Sequence, residues 1–322
     1  MLHTRRPLSR GAWMLVVFLL FAGALSGCRS PEPTVSPLPS SPLSTPAPTL
    51  LPIEGRVAFT SDALGNYDIY ILDIASGEAV PIATSPERDI DPAWSPGGDR
   101  LAFGSARNNP NELDIYVVNA DGSGLEQLTS LPGFEVNPAW SPDGRTIAYH
   151  GNQSGDFEIY LYDLDSGATM NITNNPAADY QADWSPDGQQ IAFASQRVNR
   201  SEIWIMNRDG SNPHQLTNWP ESNQWHPRWS PDGQTILFVS DRHEAGGAVY
   251  AVLVRGGEPV QLTPSGLLAT NPTWASGGEA IIFSGPAQGE ELYDLWVMTL
   301  SDRAPQLLWP GVGNDSYPAW TP

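Results

Sequence analysis

The sequence contains no lysine and only one cysteine. All 16 basic residues are arginine, which excludes chemistry that needs a lysine amine, such as Schiff-base formation. Because Cys28 is the only cysteine, no disulfide can form within one molecule, and packing must hold the fold together. Charge is also scarce and one-sided: charged residues make up 16% of the 322, and the net charge is −20. Such a field repels phosphate backbones, so no nucleic acid partner is predicted.

Long apolar runs are absent except for residues 11–25, which Arg5, Arg6 and Arg10 precede. This run is too short for a comfortable membrane span and is typical of a signal peptide. Leu25-Ser26-Gly27-Cys28 follows it and resembles the lipobox of bacterial lipoproteins. The resemblance implies cleavage before Cys28 and a lipid on its sulfur, whereas the alternative is an ordinary signal peptide with an incidental buried cysteine. We predict a signal peptide at 1–27 and an exported protein, lipid-anchored through Cys28 on the extracytoplasmic side of a membrane, periplasmic or at the cell surface.

Residues 28–53 are rich in Pro, Ser and Thr. Such a segment cannot build a core, and its repeated prolines favour extended polyproline conformation. We therefore predict a tether between Cys28 and a folded domain at 54–322.

The remainder of the chain repeats. Apolar motifs typical of strands recur in each repeat, as in Val57-Ala58-Phe59 and Asp68-Ile69-Tyr70, with a weaker one in Gln127-Leu128-Thr129. Four β-branched or aromatic runs per repeat predict four strands, and six repeats of about 45 residues predict an all-β, six-bladed β-propeller. The repeats are marked by one tryptophan each, at intervals of 44 to 46 residues: Trp94, Trp140, Trp184, Trp229, Trp274 and Trp320.

A proline stands two places before the tryptophan in every repeat except one, where Ala182 replaces it. Since proline cannot donate to a ladder, the tryptophan strand is predicted to be a sheet edge, bordering the central channel. The first folded strand, at Val57-Phe59, has no tryptophan strand before it, and Trp320 ends the chain. We therefore predict that the C-terminal strand pairs with the three N-terminal strands and closes the ring.

By its Pro-x-Trp-Ser-Pro-Asp-Gly repeats, seen for example at 138–144, the chain resembles the TolB-like propellers over 54–322. It differs from true WD repeats, whose blades close on Trp-Asp. TolB itself has an α/β domain ahead of its propeller, where this chain has the predicted tether, so the translocation role of that family is not carried over.

Two sets of polar residues precede the tryptophans and are predicted to encircle one mouth of the channel. Five places before tryptophan, four of the six repeats carry a carboxylate and the other two have Gln224 and Ala269: Asp89, Glu135, Asp179 and Asp315. Three places before tryptophan, all six are polar: Asp91, Asn137, Gln181, His226, Asn271 and Tyr317. Either set has two interpretations, a ring that binds a cation, a basic peptide or another ligand, or side chains that brace their own loops.

Two classes of function remain open. The first is a non-enzymatic scaffold whose variable loops and channel mouth, with Trp225 as an exposed platform, bind an envelope protein, a peptide or a glycan, without a cofactor. The second is a metal-assisted polysaccharide lyase or hydrolase. Oligogalacturonate lyases resemble this fold and use a metal with histidine ligands, and His226 stands at the predicted mouth. The sequence contains neither His-Glu-x-x-His nor Gly-x-Ser-x-Gly.

Overall fold

A computed structural model describes residues 43–44, 53–244, 246–287 and 291–322. The predicted signal peptide, Cys28 and most of the predicted tether lie outside these residues. Within the described ranges, no helix is long and apolar enough to span a membrane.

The chain forms six antiparallel sheets, the blades, in chain order around a ring. Blade 1 begins with β1 (Leu43–Ser44), β2 (Arg56–Ser61), β3 (Asp68–Asp73) and β4 (Glu78–Ala83). Blade 2 consists of β5 (Asp89–Trp94), β6 (Arg100–Ser105), β7 (Asp114–Asn119) and β8 (Glu126–Gln127). Blade 3 consists of β9 (Glu135–Trp140), β10 (Thr146–Gly151), β11 (Glu158–Asp163) and β12 (Thr169–Asn171). Blade 4 consists of β13 (Asp179–Trp184), β14 (Gln190–Val198), β15 (Arg200–Asn207) and β16 (His214–Gln215), and blade 5 of β17 (Gln224–Trp229), β18 (Thr235–Ser240), β19 (Ala248–Leu253) and β20 (Val260–Gln261). Blade 6 consists of β21 (Thr270–Ala275), a 3-10 turn (Ser276–Gly278), β22 (Ala280–Pro286), β23 (Tyr293–Thr299) and β24 (Gln306–Trp309). The last strand, β25 (Asp315–Thr321), returns to blade 1.

The ring closes as the sequence predicts. β25 runs antiparallel to β2, with Val57 opposite Trp320 and Ala58 opposite Ala319. Blade 1 therefore combines the N-terminal strands with the last strand of the chain, and this pairing removes the two edges that an open ring would expose.

Three residues of the predicted tether contact the folded domain instead of forming a free linker. β1 pairs with the outer strand β4, Leu43 opposite Ala79 and Ser44 opposite Glu78, and so covers an otherwise unpaired edge. Ile53 is buried in the core between blades 6 and 1. The folded part thus reaches further toward the N-terminus than residue 54.

The tryptophan strands are the innermost strands, as predicted, since each packs against the tryptophan strands of the two neighbouring blades. Three of the indoles also tie one blade to the next. The Nε1 of Trp94, Trp184 and Trp274 donates to the carbonyl of the residue before the preceding blade's tryptophan: Ala319 at 3.0 Å, Ala139 at 3.2 Å and Arg228 at 3.1 Å.

The core lies between blades. The second strand of each blade is buried on both faces because neighbouring blades sandwich it, and its aromatic side chain stacks on that of the third strand, as Phe59 does on Tyr70 with ring centroids 5.6 Å apart. Burying each such side chain contributes about 1.5–3 kcal/mol. Side-chain packing between repeats therefore replaces the disulfides that the sequence cannot form.

Short turns define one face of the ring, here called the turn face. In the Ser141-Pro142-Asp143-Gly144 turn, the amide of Gly144 donates to the Ser141 carbonyl at 2.9 Å, and Gly144 has a φ of 70°. The Ser141 hydroxyl donates to Asp143 at 2.6 Å and accepts the amide of Thr146 at 3.0 Å. The opposite face, here called the loop face, carries the longer connections and the start of every inner strand.

Candidate functional site

Each inner strand carries a β-bulge. In β5, Ile90 lies opposite Gly104 and Ala93 opposite Ala102, so that Asp91 and Pro92 share one partner. All six strands show the same register shift. Proline does not cause it, because Gln181 precedes Ala182 and has a φ of 60° all the same. The bulge turns the residue three places before tryptophan into the left-handed region in every blade, with φ between 49° and 60°: Asp91, Asn137, Gln181, His226, Asn271 and Tyr317.

These six residues, here called the axial ring, meet around the propeller axis. The Gln181 side chain accepts the backbone amide of His226 at 2.9 Å, and Asn271 Nδ2 lies 3.3 Å from His226 Nε2. The rings of His226 and Tyr317 meet edge to face at 5.7 Å, although they come from blades 5 and 1, which are not neighbours. Asn137 lies close enough to Asp91, and Asn271 to Tyr317, to lower the pKa of each. The structure therefore brings together the six residues that the sequence groups by position.

The axial ring carries little charge, although it includes Asp91 and His226. Burial raises the pKa of Asp91 to about 7, against the opposing effects of the hydrogen bonds from Asn137 and the charge of Arg228. Burial also lowers the pKa of His226, and nearby Arg228 lowers it further. His226 is therefore neutral near pH 7, and its Nε2 accepts from the Asn271 amide.

Sequence reasoning missed two charged residues near the axis. Asp183 and Arg228 directly precede a tryptophan, where the other repeats have Ala or Thr. Asp183 accepts the Trp229 amide at 2.6 Å, and burial raises its pKa to about 6 while Arg228 lowers it. The sequence does contain a signal for these two residues, because the position directly before tryptophan varies between repeats and is charged in only two of them.

The four carboxylates five places before tryptophan do not line an open mouth. Asp89, Glu135, Asp179 and Asp315 are almost entirely buried. The first three are held by side chains of their own blade. The partners are Arg107 for Asp89 at 2.8 Å, Arg197 for Asp179 at 2.7 Å, and Tyr149 and Gln153 for Glu135, both at 3.3 Å. Contact between these carboxylates and a ligand would require the loops above them to move.

A second set of buried acids lies at the start of the third strand in five of the six blades, and sequence reasoning treated it only as part of a strand motif. Glu202 illustrates it: its carboxylate accepts the Thr217 hydroxyl at 2.6 Å and the Trp219 amide at 2.7 Å. The same Thr217 hydroxyl accepts the Ile203 amide at 2.9 Å. The acid and the Thr of the weak Gln-Leu-Thr motif thus fix the connection to the next inner strand. The equivalent acids are Asp68, Asp114, Glu158 and Asp294.

His150 and His226 both hydrogen-bond to Gln181, and Trp225 is half-buried. His150 is buried and accepts the Gln181 amide at 3.3 Å, and burial lowers its pKa to about 3. His243 pairs with the Tyr250 hydroxyl at 2.9 Å. Trp225 packs beside Gly247, where a Cβ would lie 3.4 Å from the indole. Within the residues that the structure covers, no group of three or more His, Cys, Asp or Glu is arranged to hold a metal ion.

The loop face presents apolar side chains to solvent. The largest exposure belongs to Val312, at 68%, in the connection between β24 and β25. Four others lie at the same face, in its loops or, for Val198, at the end of β14: Leu64, Leu131, Val198 and Leu292. Exposed apolar residues on the turn side, such as Leu125 and Leu253, lie at the ends of outer strands and hairpins.

Comparison with known proteins gives a family and a set of similar folds. The family model described as TolB beta propeller domain matches residues 38–184 and 158–322. No curated protein matches the chain. Among solved structures, TolB from Acinetobacter baumannii is 24% identical with a TM-score of 0.71, covering 83% of this chain and 67% of that one. TolB from Agrobacterium tumefaciens is also 24% identical, with a TM-score of 0.57 and coverage of 84% and 91%. An oligogalacturonate lyase in complex with manganese is 16% identical, with a TM-score of 0.57 and coverage of 79% and 74%.

Proposed function

The chain belongs to the TolB β-propeller domain family, and we propose that it is a binding scaffold whose loop face holds a protein, a peptide or a cell-envelope polymer. The observation that carries this proposal is the axial ring, where a bulge in each of the six inner strands presents a polar residue and several of these side chains contact one another. Gln and Tyr rarely adopt the left-handed region, and residues in such conformations cluster at ligand-binding and active sites.

The surroundings of the ring support binding rather than catalysis. The ring offers amide, imidazole, phenol and carboxyl groups but little net charge, which suits recognition by hydrogen bonds. The loops above it supply exposed apolar contacts, and rigid blades fix their positions. We assign ligand contact to the axial ring, Trp225 and the loop tips, and a supporting role to the buried Asp89, Glu135 and Asp179.

The proposed location rests on the sequence. Cys28 follows the apolar run at the position where a lipoprotein signal peptide is cleaved. We propose that its lipid holds the propeller at the extracytoplasmic side of a membrane, on the segment at 28–53. A partner in the periplasm or cell envelope would meet the loop face there.

The donor set does not fit the manganese chemistry of the lyase that shares this fold. His226 is the axial histidine, and its Nε2 is engaged by Asn271. The described part of the chain contains no group of three His, Cys, Asp or Glu suited to a metal. We therefore propose no metal-dependent step.

Charge substitution on opposite faces tests the proposal. Val312→Glu and Leu64→Glu alter the loop face, and Leu125→Glu and Leu253→Glu are matched controls on exposed apolar residues of the turn side. With the full chain as bait in envelope extract, we expect the loop-face variants to lose a partner that the wild type and the controls retain. Equal capture by all four variants, or loss only in the controls, would contradict the proposal.

A further inference from the structure

Two blades neutralise a buried aspartate in the same way. Asp89 lies opposite Ser105 in the β5–β6 pair, and the arginine two residues after that serine, Arg107, reaches the carboxylate at 2.8 Å. In blade 4, Asp179 lies opposite Ser195, and Arg197 reaches it at 2.7 Å. The position two residues after the serine is therefore built to deliver a guanidinium to this carboxylate.

Blade 1 has the aspartate without the arginine. Asp315 lies opposite Ser61, and the residue two places later is Ala63, whose methyl group carries no charge. Asp315 is only 1% exposed, and no described residue gives either carboxylate oxygen a hydrogen bond of ordinary geometry. Burial, together with the charges of Asp294 and Asp62, raises its pKa to about 7, while the Ser61 hydroxyl opposes this shift.

A short loop covers this carboxylate. A Cβ built on Gly311 would lie 1.7 Å from Oδ2 of Asp315, so only glycine lets the backbone pass there. Asn314 holds the far end of the loop. Its backbone nitrogen donates to Asp62 at 2.7 Å and its Nδ2 donates to the same carboxylate at 3.2 Å. Its Oδ1 accepts the Tyr293 amide at 3.3 Å. Val312, between the two, is the most exposed large apolar residue of the loop face.

We propose that Asp315 is the receptor for an arginine side chain that a protein partner inserts at the loop face of blade 1, displacing the loop at 310–314. The inference rests on the proposed binding function and names the chemistry of the partner. A guanidinium fits better than a metal ion, because the same pocket takes one in blades 2 and 4. The planar guanidinium can also donate hydrogen bonds to both oxygens of the carboxylate. Val312 belongs to the displaced loop and Leu64 follows Ala63 in the chain, and both are exposed, so the arginine is expected beside apolar residues.

A peptide pair provides the probe. Acetyl-Leu-Arg-Leu-amide carries the guanidinium, and acetyl-Leu-citrulline-Leu-amide has nearly the same shape without the charge. By calorimetric titration of the full chain, we expect the arginine peptide to bind roughly tenfold more tightly than its citrulline counterpart. We expect the preference to strengthen as pH rises, because a protonated Asp315 must release its proton to pair. Equal affinity for the two peptides would overturn the proposal.

Two arginine substitutions locate the site. Ala63→Arg supplies the missing guanidinium from within blade 1 and should remove the preference for the arginine peptide, as should Asp315→Asn. Ala287→Arg is the matched control in blade 6, because it adds the same charge where Ala269 stands in place of the acid. Retained preference in Ala63→Arg, or equal loss in Ala287→Arg, would refute the assignment. If partner capture at the loop face persists while the peptide preference is absent, the arginine site fails and the scaffold function stands. If loop-face variants capture normally, the scaffold function fails.

Discussion

The buried pair between Arg107 and Asp89 allows a quantitative test of how the loop face is held. Asp89 has no exposed surface, and burial raises its pKa while the Ser105 hydroxyl and Arg107 oppose the shift. In Arg107→Gln the carboxylate either stays charged and unpaired, which typically costs about 3–5 kcal/mol, or takes up a proton. Protonating a group with an ordinary pKa of about 3.9 costs about 4 kcal/mol at pH 7 but only about 1.5 kcal/mol at pH 5.

We therefore expect Arg107→Gln to lower the free energy of unfolding by roughly 3–4 kcal/mol at pH 7 and by roughly 1.5 kcal/mol or less at pH 5. Equilibrium urea unfolding at the two pH values measures both differences. The matched control is Arg242→Gln in blade 5, where Gln224 replaces the acid and Arg242 stacks on Trp219 at 4.1 Å. Losing that stacking should cost about 1 kcal/mol at either pH.

A second variant separates charge from packing. Asp89→Asn added to Arg107→Gln removes the buried charge and should recover most of the stability lost at pH 7. The reasoning fails if Arg107→Gln costs the same at both pH values, if Arg242→Gln is equally damaging, or if the double variant recovers nothing.

Three further predictions address anchoring, closure and pH. Cys28→Ser should abolish fatty-acid labelling and release the protein from membranes; unchanged retention with no label in the wild type would contradict the lipid anchor. Deleting residues 315–322 removes the inner strand of blade 1 and the Ala319 carbonyl that Trp94 uses, so the product should aggregate or unfold; a monomeric, cooperatively folding product would contradict closure. The free energy of unfolding should rise as pH falls from about 8 to about 6.5, since groups whose pKa is raised on folding stabilise the fold only while protonated. A thermal midpoint that decreases as pH is lowered over this range would refute the prediction. The groups concerned are Asp68, Asp91, Glu135 and Asp315, with pKa values of about 7, and Asp183, at about 6.

Repetition is why the fold was predictable from the sequence. A tryptophan every 44 to 46 residues identifies the repeat, and three N-terminal strands without a tryptophan strand, together with a single tryptophan strand at the C-terminus, predict the closure that Val57 and Trp320 make. The proline before tryptophan correctly indicated the inner edge, but it did not reveal the bulge, which Gln181 adopts without it.

The site was only partly predictable, because the spacing of residues in the sequence does not show whether a side chain is buried or which side chains it contacts. The six axial residues are polar at one repeat position, so the sequence could group them. The acids Asp89 and Asp179 are equally regular, yet their partners Arg107 and Arg197 lie 18 residues away across a strand pair. A Ser-x-Arg pattern recurs at 105–107, 195–197 and 240–242, but the pattern alone does not say which side chain the arginine meets, and only the register of β5 with β6 and of β13 with β14 reveals its role.

The loop face as the binding surface is tested most directly by photocrosslinking in cells. A benzoylphenylalanine at Val312 reports on the loop face, and one at Leu253, 40% exposed at the opposite side, serves as the control. We expect irradiation to give a discrete crosslinked species from position 312 and none from position 253. Crosslinking from position 253 alone, or equally from both, would contradict the assignment of the binding face.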